Sequence, residues 1–319
     1  MIKYLRNRIV SVICTLFILS VFIFSIIHLT PGDPARIMLG ADASAEEVSA
    51  LTERLGLNRP LIMQYFSWLF DALHGDLGVS YSRNGTVAEE IKTALGPTIV
   101  LAVWGQILAI IIAIPCGVFA AKKKGKIQDS AVIAASLLGI SIPSFLLSLL
   151  LAMLFSVKLG WLPVAGYKTV AGNGLITHLR YIVLPVVSLS LMQAAMLTRM
   201  TRASMAEVIN NDYIKTAKAK GLKECVILYK HALKNAMIPI LTTIGQSFAS
   251  LLSGAAVVET VFNIPGVGQL IVSSVSKRDY PMIQGIVLVI SLIYVAINLF
   301  IDILYGEIDP RIRIAGNVK

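Results

Sequence analysis

The run Thr98-Ile99-Val100-Leu101-Ala102-Val103-Trp104-Gly105-Gln106-Ile107-Leu108-Ala109-Ile110-Ile111-Ile112-Ala113-Ile114-Pro115-Cys116-Gly117-Val118-Phe119-Ala120 carries no acidic or basic side chain. As a helix it would extend about 34 Å at 1.5 Å per residue, enough to cross a hydrocarbon core of about 30 Å. Runs of this kind recur along the 319 residues, which are 56% hydrophobic and 14% charged. Soluble domains carry about 25% charged residues. The sequence therefore specifies an all-α polytopic membrane protein.

Six spans are expected, at 9–29, 98–120, 131–157, 182–200, 239–258 and 284–304. An even number puts both termini, 1–8 and 305–319, on the cytoplasmic side, together with loops 121–130 and 201–238. Segments 30–97, 158–181 and 259–283 then face outward. Of the 28 Lys and Arg residues, 18 fall on the cytoplasmic side when Arg199, at the cytoplasmic end of span four, is included, the bias that sets orientation. The net charge of +10 is thus mostly topological. No basic face interleaved with aromatics points to nucleic acid. The first 29 residues imitate a signal peptide, but Ile27-His28-Leu29-Thr30-Pro31 lacks a small-residue cleavage site, and a retained span is expected.

Outside the first span, Thr30-Pro31-Gly32-Asp33-Pro34 reads as a turn. Ser44 followed by Glu46 and Glu47 reads as a helix start. Amphipathic helices are expected over 45–55 and 60–73, the latter with Leu61, Tyr65, Trp68, Leu69 and Leu73 at helical spacing, as a cap lying at the interface. Segment 259–283 is expected as a short external turn. Pro115 and Ile142-Pro143 should kink spans two and three. In span five, Gly245, Ala249 and Ser253 lie at i, i+4 steps, as do Ser250 and Gly254. Such spacing serves close helix packing, a pathway wall or a subunit interface.

Catalytic chemistry has no foothold. The chain has no Gly-Lys-Ser/Thr phosphate loop and no paired-His zinc motif, and His28, His74, His178 and His231 are scattered. Cys14, Cys116 and Cys225 lack disulfide or metal-ligand spacing. Asp302, at the cytoplasmic end of span six, is the acidic exception within the spans and reads as an interfacial residue. The span interiors offer mainly neutral polar groups, Gln106, Gln193, Gln246 and Asn298. If the chain transports a solute, the energy should come from another polypeptide.

The segment Asp212-Tyr213-Ile214-Lys215-Thr216-Ala217-Lys218-Ala219-Lys220-Gly221-Leu222 stands in the basic cytoplasmic loop. Tyr213, Ala217 and Gly221 recur at i, i+4, i+8, flanked by lysines. Such a helix suits anionic lipid headgroups or a groove in a partner protein. Gly221 serves either a close backbone approach or a helix terminus.

The same segment resembles the cytoplasmic loop of permease subunits of binding-protein-dependent ABC importers. It departs from the broad pattern, which opens Glu-Ala-Ala where this chain has Lys215-Thr216-Ala217, and is similar to the peptide/nickel branch. Seven further motifs resemble that branch in order: Pro31-Gly32-Asp33-Pro34, Leu55 to Leu61, Gly75-Asp76-Leu77-Gly78-Val79-Ser80, Arg202-Ala203-Ser204-Met205, Glu259 to Gly268, Arg278-Asp279-Tyr280-Pro281 and Asp309-Pro310-Arg311. The resemblance is to the first permease of the pair in dipeptide, oligopeptide, nickel or glutathione importers.

The resemblance implies a permease domain over about 98–304 and a coupling helix between spans four and five, in a bacterial or archaeal cytoplasmic membrane. It implies a homologous second permease, two cytoplasmic ATPases that bind ATP and Mg, and an extracytoplasmic solute-binding protein. This chain itself would hold no cofactor or metal and would not be an enzyme. Asp212, Tyr213, Ala217, Ala219, Gly221 and Leu222 would couple to the ATPases. Gln193, Gln246, Ser250, Ser253 and Asn298 would line the pathway, and Glu259, Phe262, Pro265, Gly266 and Gly268 would form an external loop.

Overall fold

A computed structural model describes residues 2–29, 34–39, 43–54, 56–83 and 85–308. Among them the fold is helical, with one isolated β-bridge between Val79 and Thr86. Residues Pro31-Gly32-Asp33 and Asp309-Pro310-Arg311, and the side chains of Ser253 and Asp302, lie outside the described set. Two compact units are formed. The first comprises 1–96 and 270–296, the second 97–269 and 297–319.

The first unit contains α1 (Ile2–Leu29), α2 (Pro34–Leu39), α3 (Ala45–Arg54), α4 (Leu61–Leu73) and the start of α5 (Val87–Lys122). The expected helix start at Ser44 is a capping box. Ser44 N–H and Oγ donate to Glu47 Oε2 at 2.9 Å, and Glu47 N–H returns a bond to Ser44 Oγ at 3.3 Å. α4 meets α1 through its aromatic face. Tyr65 and Ser20 share a 2.8 Å hydrogen bond, and Phe24 packs against the rings of Tyr65 and Trp68. Ile62, Phe66 and Phe70 remain exposed on α4, a distribution suited to lipid contact.

The second unit contains most of α5, α6 (Ile127–Ser141), α7 (Ser144–Leu151, continued as a π-helical turn to Lys158), α8 (Val170–Asn173), α9 (Leu175–Val208), α10 (Asp212–Ala219), α11 (Glu224–Val226) and α12 (Leu233–Val261). α13 (Val267–Ser276) and α14 (Tyr280–Ile308) straddle the two units. The kink expected in the third span is a break between two helices. Ile142 takes an extended conformation before Pro143, as its proline demands, and α6 and α7 are bent by 94°. Segment 259–283 is likewise more than a turn, because it carries α13. Among the described residues three helices are each long and apolar enough to span a bilayer, or five if each of two bent pairs counts as one span.

α9 is the central helix, packing against α6, α7 and α12. Close approach is set by small residues. A Cβ on Gly117 of α5 would lie 2.5 Å from Thr201 Cβ and 2.9 Å from the Thr198 carbonyl oxygen of α9. A Cβ on Gly139 of α6 would lie 3.2 Å from that of Ala195. In α12, Gly245 faces Ile301 and Ala249 is buried, so that stripe serves packing, whereas Gly254 has nothing within 4 Å.

Candidate functional site

The cytoplasmic segment is built on α9, which continues as helix beyond the expected span end at residue 200 to Val208. After a short turn α10 begins, with Asp212 in its first turn and Lys218 in its last, the arrangement a helix dipole favours. It ends in a Schellman motif. Gly221 sits at φ +73°, its N–H bonds the Lys218 carbonyl at 3.0 Å, and Leu222 N–H bonds the Ala217 carbonyl at 3.4 Å. Of the two roles open to Gly221, the structure places it at the helix terminus.

α10 lies on an apolar platform. Ile214 and Ala217 are buried with Ala113, Val118 and Ala121 of α5, Leu197, Met205 and Ala206 of α9, and Ala236 and Ile240 of α12. Tyr213 Oη accepts a 2.9 Å bond from Asn235 Nδ2. Lys122 bonds Glu224 at 2.7 Å, and this bond holds the Glu224 carboxyl below its ordinary range.

The spacing Tyr213, Ala217, Gly221 therefore does not form one outward stripe. Ala217 points into the chain because its face carries the apolar partners of α10, while Tyr213 is exposed. The outward residues are Asp212, Tyr213, Ala219, Gly221 and Leu222 from the expected set, joined by Val226 and Tyr229. Val226 and Tyr229, three residues apart on the helical stretch that begins at Glu224, carry a spacing already present in the sequence, and Leu222 stands two residues before that stretch. Tyr213, Leu222, Val226 and Tyr229 are thus four exposed large side chains on an expected water-facing segment.

In the interior, Gln193 of α9 is buried and donates to Ser250 Oγ of α12 at 3.4 Å. Gln106 accepts from Ser247 Oγ at 2.8 Å, and its Nε2 has no partner among the described residues. Gln246 and Ser250 are exposed on α12, and Asn298 is half-buried on α14. The structure thus joins Gln193 to Ser250 among the expected pathway residues.

The expected external-loop residues form a compact cluster in the second unit. The Glu259 carboxylate, fully buried at the end of α12, accepts Thr98 Oγ1 at 2.6 Å and Gln269 N–H at 3.0 Å. Thr98 Oγ1 in turn accepts Val267 N–H at 2.8 Å, so the start of α13 is capped by groups from α5 and α12. Gly266 leaves room for the carboxylate and Gly268 for the Ala256 backbone, while Phe262 is buried and Pro265 exposed.

In the first unit, two sequence motifs meet at Asp279. Its carboxylate accepts Ser80 Oγ, Tyr81 N–H at 3.1 Å, and Ser82 N–H and Oγ at 3.1 and 2.8 Å. It also caps α14 through Met282 N–H at 3.4 Å. Burial alone would raise the Asp279 carboxyl, but these donors outweigh it and hold the group below its ordinary value of 3.8. Burial, with the Asp279 charge second, pushes the Tyr81 hydroxyl up to about 12. A depressed carboxyl stabilises the fold fully above its unfolded value, and the gain is lost as pH falls through the lower folded value. Asp279→Asn is expected to cost about 1–3 kcal/mol at neutral pH, measured by thermal unfolding in detergent. The mutant's deficit should shrink below pH 3.8, and a deficit constant with pH would contradict the assignment.

The model of the binding-protein-dependent transport system inner membrane component matches residues 113–314, and that of its N-terminal component matches residues 1–102. A relative from Sinorhizobium fredii, named probable peptide ABC transporter permease protein y4tP, is 42% identical over 97% of this chain and 99% of its own. The glutathione transport system permease protein GsiC of Escherichia coli K12 is 41% identical over 98% and 99%. Among solved structures, an inward-facing MetNI methionine ABC transporter shares the fold. Its TM-score is 0.57 at 18% identity, over 69% of this chain and 96% of that one.

Proposed function

The chain belongs to the family of binding-protein-dependent transport system inner membrane components, and on that premise we propose that it forms the translocation pathway for small peptides together with a second, homologous permease. ATP is hydrolysed on two separate cytoplasmic ATPases, and an extracytoplasmic binding protein delivers the solute. Six spans place both termini in the cytoplasm, and segments 30–97 and 259–283 outside.

The observation that carries the coupling role is the surface of α10 to Tyr229. Tyr213, Leu222, Val226 and Tyr229 are exposed on a segment too polar to enter the bilayer, while Ile214 and Ala217 fasten α10 to three membrane helices. A push on that surface is transmitted to α5, α9 and α12 together. Gln193, Ser250 and Gln246 are neutral, as suits a pathway passing zwitterionic peptides. The y4tP relative favours peptides, and GsiC favours glutathione, itself a small peptide, as the second reading.

The test is uptake of labelled di- and tripeptides and of glutathione into proteoliposomes holding the full transporter, with ATP inside and the binding protein outside. Uptake of one of these classes that requires both ATP and the binding protein is expected. Equal uptake without ATP would contradict the reading.

A further inference from the structure

We propose that Asp129 and Arg202 form a positioning pair that fixes the cytoplasmic end of α9, and through it α10, in the register that converts ATP hydrolysis into solute movement. The inference rests on the permease reading above. Asp129 is 3% exposed in the first turn of α6. Arg202 of α9 grips it with both edges of its fork, Nε to Oδ1 at 2.8 Å and Nη2 to Oδ2 at 2.7 Å. Gly125 N–H adds a third bond to Oδ2 at 2.9 Å, from a left-handed turn at φ +78°. The carboxylate thus ties the α5–α6 loop, α6 and α9 at one point.

The location gives the pair leverage. One residue earlier, Thr201 of α9 touches the site of Gly117 on α5 too closely for a Cβ, so α9 is held sideways there. Arg202 then sets its rotation, because a bidentate guanidinium–carboxylate contact is directional where apolar contact is not. Met205 and Ala206, on the next turn, already belong to the platform under α10. The helix ends six residues beyond Arg202, about 9 Å on, and α10 starts at Asp212. A small rotation at Arg202 therefore displaces the docking surface as a body. Neither residue lies on that surface, so both act through α10.

The test uses the complete transporter in proteoliposomes and reads solute taken up per ATP hydrolysed. Asp129→Asn and Arg202→Gln are expected to lower that ratio about five-fold or more while ATP hydrolysis continues. The charge swap Asp129→Arg/Arg202→Asp should recover part of it, because it restores the ion pair but not the bond from Gly125 N–H. Arg202→Lys keeps the charge and loses the fork. It is expected to assemble at wild-type yield with a reduced ratio, which keeps the proposal testable should the other variants misfold. A wild-type ratio in Arg202→Lys, or an assembled charge swap no better than either single variant, would overturn the pair's role. Absence of any ATP-dependent uptake in the unmodified complex would instead sink the permease reading.

Discussion

Gly268→Val is expected to cost about 3 kcal/mol or more and to abolish uptake, through loss of the external cluster. A Cβ at that position would lie 2.2 Å from Ala256 Cα and 2.6 Å from Ala256 N. Both are backbone atoms inside α12, so the start of α13 must move by about 1 Å to restore ordinary contact. That shift breaks the Gln269 N–H bond to Glu259, whose carboxylate is fully buried. A buried carboxylate that loses a donor is penalised heavily. Gly254→Ala is the matched control. It has nothing within 4 Å, and on a helix interior alanine should be neutral to about 1 kcal/mol stabilising. Thermal unfolding of both variants with uptake in parallel decides the matter. A Gly268→Val protein as stable as the wild type would contradict the packing described.

Leu222→Asp combined with Tyr229→Asp is expected to reduce ATP-driven uptake at least about ten-fold, which needs only about 1.4 kcal/mol of lost docking energy. Both side chains are more than 40% exposed, so the fold should change by no more than about 0.5 kcal/mol per site. Ala217→Asp, on the buried face of the same segment, should behave in the opposite order. It places a carboxylate among Ile214, Met205 and Ile240, and stability should fail before coupling is tested. Unchanged uptake in the Leu222/Tyr229 variant at normal expression would show that this surface docks nothing.

Much of this was legible in the residues because hydrophobicity and helix signals act locally. The apolar runs, the Ser44–Glu47 box and the Leu61–Leu73 helix follow from neighbours in sequence. Gly221 was recognisable as a terminator or a close-approach site, and its left-handed φ selects the former. The inward face of α10 was not legible, because Ala217 is drawn into an apolar cluster whose members come from α5, α9, α12 and the helical stretch Ile227–Ala232. Spacing can show that residues share a face, but not which face a distant helix will cover. The 94° bend at Ile142-Pro143 was visible as a proline but not in its size. Asp129–Arg202 and Ser80–Asp279 join residues 73 and 199 positions apart, and single-sequence reasoning has no signal for such pairs.

In the proposed transporter, the surface from α10 to Tyr229 delivers the work of ATP hydrolysis to this chain. A photo-crosslinking amino acid at Val226, which is exposed on that surface, tests it in membranes containing the assembled transporter. A crosslink to the ATP-hydrolysing subunit is expected, identified by mass spectrometry, with a yield that changes when ATP binds. Crosslinks to lipid alone, or none to that subunit, would contradict it.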